Sequence, residues 1–453
     1  MAVDHAPEHP RRTDGPDGTQ DADGAGGAGG AGGAGGADRT IETVFRMEAP
    51  RVIAGVARIV RDVGIAEELA QDALVAALER WPESGVPDNP GAWLMATAKH
   101  RAIDLVRRRE RYARKLAEVG RDLESAPPHL DEIPGLVEDP DAIDDDLLRL
   151  VFTACHPVLS AEARVALTLR LLGGLTTAEI ARAVLAPEAT VAQRVVRAKR
   201  TLATRNVPFE VPYGPDREAR LGSVLDVIYL IFNEGYAATA GDDYVRPALC
   251  EDALRLARQL ASLMPKEPEV HGLVALLELQ ASRTAARTGP GGEPVLLKDQ
   301  RRGRWNGLLI RRGFAALGRA EEVAPGAHGP YVLQAVIAAC HAHARSYDET
   351  DWVRIAALYG LLAERAPSPV VELNRAVAVS MAEGPEPALA LVDALAAEPA
   401  LRSYHLLPSV RGDLLVRLGR VAEARAEFER AAGLAHNARE RELLLGRVEE
   451  CGG

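Results

Sequence analysis

Apolar residues recur along this chain at the three- and four-residue spacing of helices, with few alternating β-branched runs, which predicts an all-α protein. From Thr40, the residues Val44, Val52, Val56 and Ile59 keep a broken helical rhythm that Pro50 interrupts early. A second helix, IAEELAQDALVAALERW, carries Leu74, Leu78 and Trp81 as its apolar stripe, with Glu67, Glu68, Gln71 and Asp72 on a polar side. PESGVPDNP is rich in turn formers and predicts a loop with no helix in it. Pro90 suits the first turn of a long third helix, GAWLMATAKHRAIDLVRRRERYARK. Met95, Ala98, Ala102 and Leu105 form its buried stripe, and Arg101, Arg107, Arg108, Arg109 and Arg111 crowd its second half.

The stretch LTTAEIARAVLAPEATVAQRVVRAKRTL, residues 175–202, reads as a helix-turn-helix. Thr176 and Glu179 have capping-box spacing, in which hydroxyl and carboxylate satisfy the free amides of a helix start. Ile180, Ala181 and Val184 share one face, and Pro187 ends that helix because it lacks an amide donor. A second helix from about Thr190 buries Val191, Val195, Ala198 and Leu202, while Gln193, Arg194, Arg197 and Arg200 project from the other side. Arg pairs with guanine or grips phosphate and Gln pairs with adenine, so such a face suits the major groove of duplex DNA. Helix pairs with a Pro-containing turn are also common in all-α proteins, and a basic face is often merely solvated. What favours DNA is the second basic helix upstream.

Residues 1–38 form a Gly/Ala-rich tail expected to be disordered, having nothing to bury. Residues 116–146 are acidic, contain Pro127, Pro128, Pro134 and Pro140, and predict an extended, flexible linker. Helices resume with DDLLRLVFTACHPVLSAEARVALTLRLLGG, which Gly173 and Gly174 stop. NVPFEVPYGP marks a further boundary near 206–215, beyond which helix follows helix to the end. In SVRGDLLVRLGRVAEARAEFERAAGLAHN, Gly412, Leu415, Gly419, Ala424, Phe428 and Ala431 match the small and large positions of a tetratricopeptide helix pair. LNRAVAVSMAEGPEPALALVDAL is a weaker copy through Ala376, Val379, Ala388 and Val392, and EDALRLARQLASLMPKEPEVHGLVALLELQ hints at a third. A generic Ala-rich helical domain is the competing reading.

A chain of 453 residues has room for two or three domains. Its net charge of −11 would argue against nucleic acid if it were evenly spread. Residues 99–115 instead hold eight basic and two acidic side chains, and residues 194–205 hold five basic and none acidic. The local fields are therefore positive where the two basic helices lie. The four cysteines have no spacing that suggests a disulfide framework or a zinc ribbon, which points to a reducing cytoplasm. The longest apolar run, VLDVIYLIF, is too short to cross a membrane. Cys155 with His156, and Cys340 with His341 and His343, complete no four-ligand metal set. With no phosphate loop or nucleophile elbow either, neither metal, cofactor nor enzymatic activity is expected.

In order and spacing, AEELAQDALVAALERW, NPGAWLMATAKHRAIDLVRRRERY and the helix-turn-helix resemble a sigma-70-type RNA polymerase sigma factor of the extracytoplasmic function (ECF) class. The resemblance covers residues 40 to about 205. It implies a region 2 at 39–115, a region 4 at 147–205, and partners in core RNA polymerase and promoter DNA. By that resemblance Glu68, Leu69, Gln71, Asp72 and Leu74 lie on or behind the polymerase-docking surface. Asn89, Trp93, Arg101, Arg107, Arg108 and Arg109 would serve the −10 element, whose melting needs a flipped base held beside cations and aromatic rings, with a place in the core as the alternative for Trp93. Thr190, Gln193, Arg194, Arg197, Lys199 and Arg200 would serve the −35 element. Members commonly have Gly before the Thr-Val pair and Lys-Ser-Arg after it. Here Ala189 and Ala192-Gln193-Arg194 stand instead, so a −35 preference does not carry over.

The half at 206–453 resembles a subgroup with a tetratricopeptide-like C-terminal extension, which leaves room for a protein partner there and implies no membrane. DVIYLIFNEGY looks like a signature of that extension with no mechanism attached. The alternative reading is a helix-turn-helix regulator with a repeat-type sensor domain, acting without core polymerase. The upstream helix AWLMATAKHRAIDLVRRRERY is the feature that separates the two.

Overall fold

The computed structural model describes residues 34–119, 140–184, 186–238, 244–326 and 328–452. Most of the Gly/Ala-rich tail and residues 120–139 of the acidic linker lie outside the described residues. The described chain is helical with no strand, as the apolar periodicity predicts. An N-terminal module comprises α1 (Ala34–Val60), α2 (Val63–Ser84) and α3 (Pro90–Val119). A middle module comprises α4 (Pro140–Ala154), α5 (Ala161–Leu171), α6 (Thr177–Ala183) and α7 (Glu188–Thr204). The extension continues through α8 (Pro215–Tyr236), α9 (Pro247–Leu263), α10 (Pro268–Ala281), α11 (Gly307–Val323), α12 (Pro330–His343) and α13 (Trp352–Arg365). It ends with α14 (Pro369–Ala382), α15 (Pro385–Leu395), α16 (Leu406–Arg417), α17 (Val421–Leu434) and α18 (Ala438–Glu450).

Three local expectations need correction. Pro50 is buried inside a continuous α1, and Pro82 sits inside α2, so the turn-rich run 82–90 begins as helix. A proline removes one donor and crowds the carbonyl four residues back. At Pro82 the helix has only two residues left, and Gly85 N then closes it on the Trp81 carbonyl at 2.9 Å. The stripe of α2 is made of Ala66, Ala70, Ala73, Ala77 and Trp81, whereas Leu74 and Leu78 are half-buried. Small residues there let α1 and α3 approach closely. Finally, α3 runs to Val119 and α4 starts at Pro140, so both ends of the stretch read as linker are helical.

The core does not divide where the sequence does. One buried cluster runs from Ile41 in α1, through Leu167 and Val195 of the middle module, to Val224, Ile228 and Leu273 of the extension. A second cluster joins α14 to α18, and a smaller one links α12, α13 and α14. Successive helices of the extension pack on one another, as in an array of helix pairs. The pair α16–α17 needs Gly412, because a Cβ there would stand 2.8 Å from the Phe428 ring. The boundary near 206 is therefore a turn in the chain and not a gap in the packing.

Candidate nucleic-acid interface

The helix-turn-helix forms as its sequence dictates. Gly174, at φ 68°, lets the chain leave α5. The Thr176 amide donates to Glu179 Oε2 at 2.7 Å, and the Glu179 amide donates to Thr176 Oγ1 at 3.2 Å, closing the capping box at the start of α6. Pro187 precedes α7 and accepts from the amides of Thr190 and Val191. Val191, Val195, Ala198 and Leu202 are all buried, which fixes the roll of α7. Gln193, Arg197 and Arg200 are exposed together with Val196, whereas Thr190 and Arg194 are half-buried at the edge of that face. Val196 is 63% exposed, an apolar contact point that charge-based reading of the sequence overlooks and that suits a thymine methyl.

Lys199 lies elsewhere. It pairs with Glu67 of α2, whose other carboxylate oxygen accepts from Arg170 Nε of α5 at 2.6 Å. Glu67 is therefore not on a polar outer side but 4% exposed, a buried anion held by two cations of the middle module. Arg58 of α1, 3.3 Å from Asp146, makes a second tie between the modules. Burial pushes the Asp146 carboxyl above its ordinary range, while Arg58 and Arg149 pull it down. A cleft of about 910 Å³ runs between the modules, lined by Arg58, Arg61, Arg109, Arg149 and Lys199 against Asp62 and Glu210.

Removing one partner of a buried pair strands the other charge, at a cost of about 3 to 5 kcal/mol when fully desolvated. Arg170 and Lys199 each keep 21% of their side-chain surface in solvent. Glu67→Ala is therefore expected to cost about 2 to 3 kcal/mol. A thermal melt with an unchanged midpoint would show that the pair contributes nothing.

On α2, Glu68 and Asp72 are exposed, and Leu69, Gln71 and Leu74 are half-buried behind them. Asp72 and Arg101, assigned from sequence to different partners, lie 3.6 Å apart across α2 and α3. Arg107, Arg108 and Arg109 are exposed and form no ion pair among the described residues. Trp93 is half-buried, edge to face with Trp81 at 5.3 Å. Asn89 is exposed and its Oδ1 accepts from the Ala92 amide at 3.0 Å, so it also caps α3.

The extension reaches this interface from behind. Arg220 donates to the Phe152 carbonyl at 3.2 Å and Arg246 to the Ala183 carbonyl at 2.7 Å. Arg255 donates to the carbonyls of Leu172 and Gly173 at 3.3 and 3.1 Å. Arg220 and Arg246 meet carbonyls in the last turns of α4 and α6, and Arg255 those of the two residues that follow α5, where the negative end of the helix dipole favours a cation. Glu234 holds Arg246 in place at 2.5 Å, and Ser223 Oγ donates to the Cys155 carbonyl at 2.7 Å. The bonds from the extension to the middle module span 63 to 83 positions, and no local pattern in the sequence announces them.

Among the described residues no group of His, Cys, Asp and Glu is placed to hold a metal ion, and no helix is long and apolar enough to cross a membrane. Two helical modules, one carrying a row of arginines on α3 and the other presenting a basic helix-turn-helix, have the layout of a nucleic-acid-binding protein. Family descriptions agree: "Sigma-70 region 2" matches residues 44–112 and "Sigma-70, region 4" matches residues 149–202. Residues 220–321 match a family of unknown function, DUF6596. The ECF RNA polymerase sigma factor SigK of Mycobacterium sp. (strain KMS) is 32% identical over 149 residues, covering 32% of this chain and 72% of that protein. SigK of Mycobacterium tuberculosis (strain ATCC 25177 / H37Ra) is 33% identical over 156 residues, 34% of this chain and 78% of its own. An uncharacterized protein of Rhizobium meliloti (strain 1021) is 44% identical over 393 residues, 86% of this chain and 91% of its own. The chain belongs to the ECF class of sigma-70-type RNA polymerase sigma factors and carries a long helical extension. The family consists of transcription initiation factors and not enzymes.

Proposed function

We propose that this sigma factor docks on core RNA polymerase through the exposed edge of α2, melts the −10 element with α3 and the loop before it, and reads the −35 element with α7. In this reading residues 39–115 act as region 2, 147–205 as region 4, and 206–453 as a tetratricopeptide-like regulatory extension that travels with region 4. The observation that carries it is the α7 face, where Gln193, Val196, Arg197 and Arg200 are exposed on a helix whose other side lies in the core. That face combines groups that pair with bases, groups that grip phosphate and an apolar contact.

The same reading requires the modules to part. Elements named −10 and −35 are about 25 base pairs apart, or about 85 Å of duplex at about 3.4 Å per base pair. Here α2 and α7 touch through Glu67 and Lys199. Engagement of both elements by one chain therefore breaks the Glu67 pairs and frees Lys199 for DNA. Run-off transcription with reconstituted core polymerase tests the proposal. The full chain is expected to give promoter-specific transcripts, and Arg194→Ala with Arg197→Ala should lower them about tenfold or more on −35-containing promoters. Equal loss on every template would remove α7 from sequence reading.

A further inference from the structure

The run DVIYLIFNEGY, residues 226–236, lies on α8 and is divided between two faces. Glu234 turns to Arg246 and the helix-turn-helix. Asp226, Tyr229 and Asn233 recur at i, i+3 and i+7 and face an open cavity of about 840 Å³ lined by α8, α10, α12, α13 and α14. That volume falls within the range of small-molecule sites. Leu225, Leu276, Ile337 and Leu362 supply apolar wall.

The charge of the wall is one-sided. Glu218, Asp226, Glu267 and Glu269 line it, with no lysine, arginine or histidine among the described lining residues. Three of the four carboxylates have partners, and two of these offset the negative charge with a cation or backbone amides. Glu267 pairs with Arg217 at 2.5 Å, and Glu269 accepts from the amides of Tyr331 and Val332 at the start of α12, at 2.8 and 3.3 Å. Asp226 forms no ion pair among the described residues and accepts from the Tyr331 hydroxyl at 2.7 Å. Tyr331 meets Tyr229 edge to face, ring centres 5.7 Å apart, and the Tyr229 hydroxyl donates to Gln334 Oε1 at 3.3 Å. Burial raises the pKa of both phenols, so the rings stay neutral and their hydroxyls remain donors.

We infer that this cavity binds a small organic cation, an ammonium group on an apolar body, with Asp226 as counter-ion, Tyr229 and Tyr331 as aromatic walls, and Asn233 as a hydrogen-bonding partner. An anion would meet four carboxylates, and a neutral guest would gain nothing from Asp226, which stands exposed at the cavity wall. Both faces belong to one helix, so the guest contacts the element that carries Arg220, Ser223 and Glu234 to the helix-turn-helix.

The test uses the full-length chain and no polymerase, so it stands or falls apart from the transcription reading. Benzyltrimethylammonium is titrated beside phenylacetate and benzyl alcohol, with binding followed by saturation-transfer NMR. Saturable binding is expected for the ammonium probe alone. Asp226→Asn keeps an acceptor for Tyr331 and the shape of an exposed site, and should weaken binding by about twofold to fivefold. Tyr229→Leu should weaken it as well through loss of an aromatic face. Equal binding of the neutral probe, unchanged binding in Asp226→Asn, or no saturable binding of the ammonium probe at millimolar concentration would overturn the inference.

Discussion

Charge reversal of Glu68 and Asp72 together, as Glu68→Lys with Asp72→Lys, is expected to abolish co-purification with core RNA polymerase while the protein stays folded. Both side chains are exposed on α2. Among the described residues the one ion pair lost joins Asp72 to Arg101 at 3.6 Å, with 60% and 40% of the two side chains in solvent. Such pairs contribute about 0 to 1 kcal/mol, so the melting midpoint should scarcely move. An acidic helix edge steers association with a basic partner, and like charges facing each other cost several kcal/mol, enough to remove a micromolar complex. Glu67, one residue earlier, cannot serve this experiment, because its buried carboxylate holds the modules together and its loss would confound binding with stability. Retained co-purification of a folded double variant would take α2 out of the docking surface.

That contrast between neighbours marks how far the sequence can be read. Where a face is fixed by local spacing, the reading holds: the capping box at Thr176 forms, and Val191, Val195, Ala198 and Leu202 are buried. Arg107, Arg108, Arg109 and Arg111 of α3 stand exposed because Ala98 and Ala102 anchor its opposite side. Local spacing misplaces Glu67, because what turns it inward is Lys199 together with Arg170, more than a hundred positions away. It misses Val196 because a polar, basic face draws attention to its charges. Pro50 and Pro82 look like breaks, yet packing around α1 and the nearby end of α2 tolerate one lost backbone bond each. DVIYLIFNEGY is visible as a peculiar run, but its division between two faces of α8 requires α6, α12 and Arg246 to be in place.

The boundary near residue 206 leads to the largest expected loss of stability. A chain ending at Asn206 contains every residue of the two sigma modules, yet it is expected to lose cooperative folding or aggregate. In the full chain Val224, Leu225 and Ile228 of α8 belong to the same buried cluster as Leu167 and Val195. A fully buried aliphatic side chain contributes about 1.5 to 3 kcal/mol, and a domain retains only about 5 to 15 kcal/mol in total. Three buried aliphatics would account for most of that margin even if only part of their contacts face the sigma modules. The cut also strips Arg220, Arg246 and Arg255 from the carbonyl ends of α4, α6 and α5, each contact being worth about 0.3 to 2 kcal/mol. A milder variant separates capping from burial: Arg246→Ala with Arg255→Ala in the full chain should lower the melting midpoint modestly and leave a single transition. Thermal melts and size-exclusion chromatography on both proteins decide the matter. A monomeric 1–206 fragment that melts cooperatively at the midpoint of the full chain would show that α8 only leans on the sigma modules. An aggregated fragment beside a folded double variant would place the extension inside the same folding unit as the promoter-reading helix.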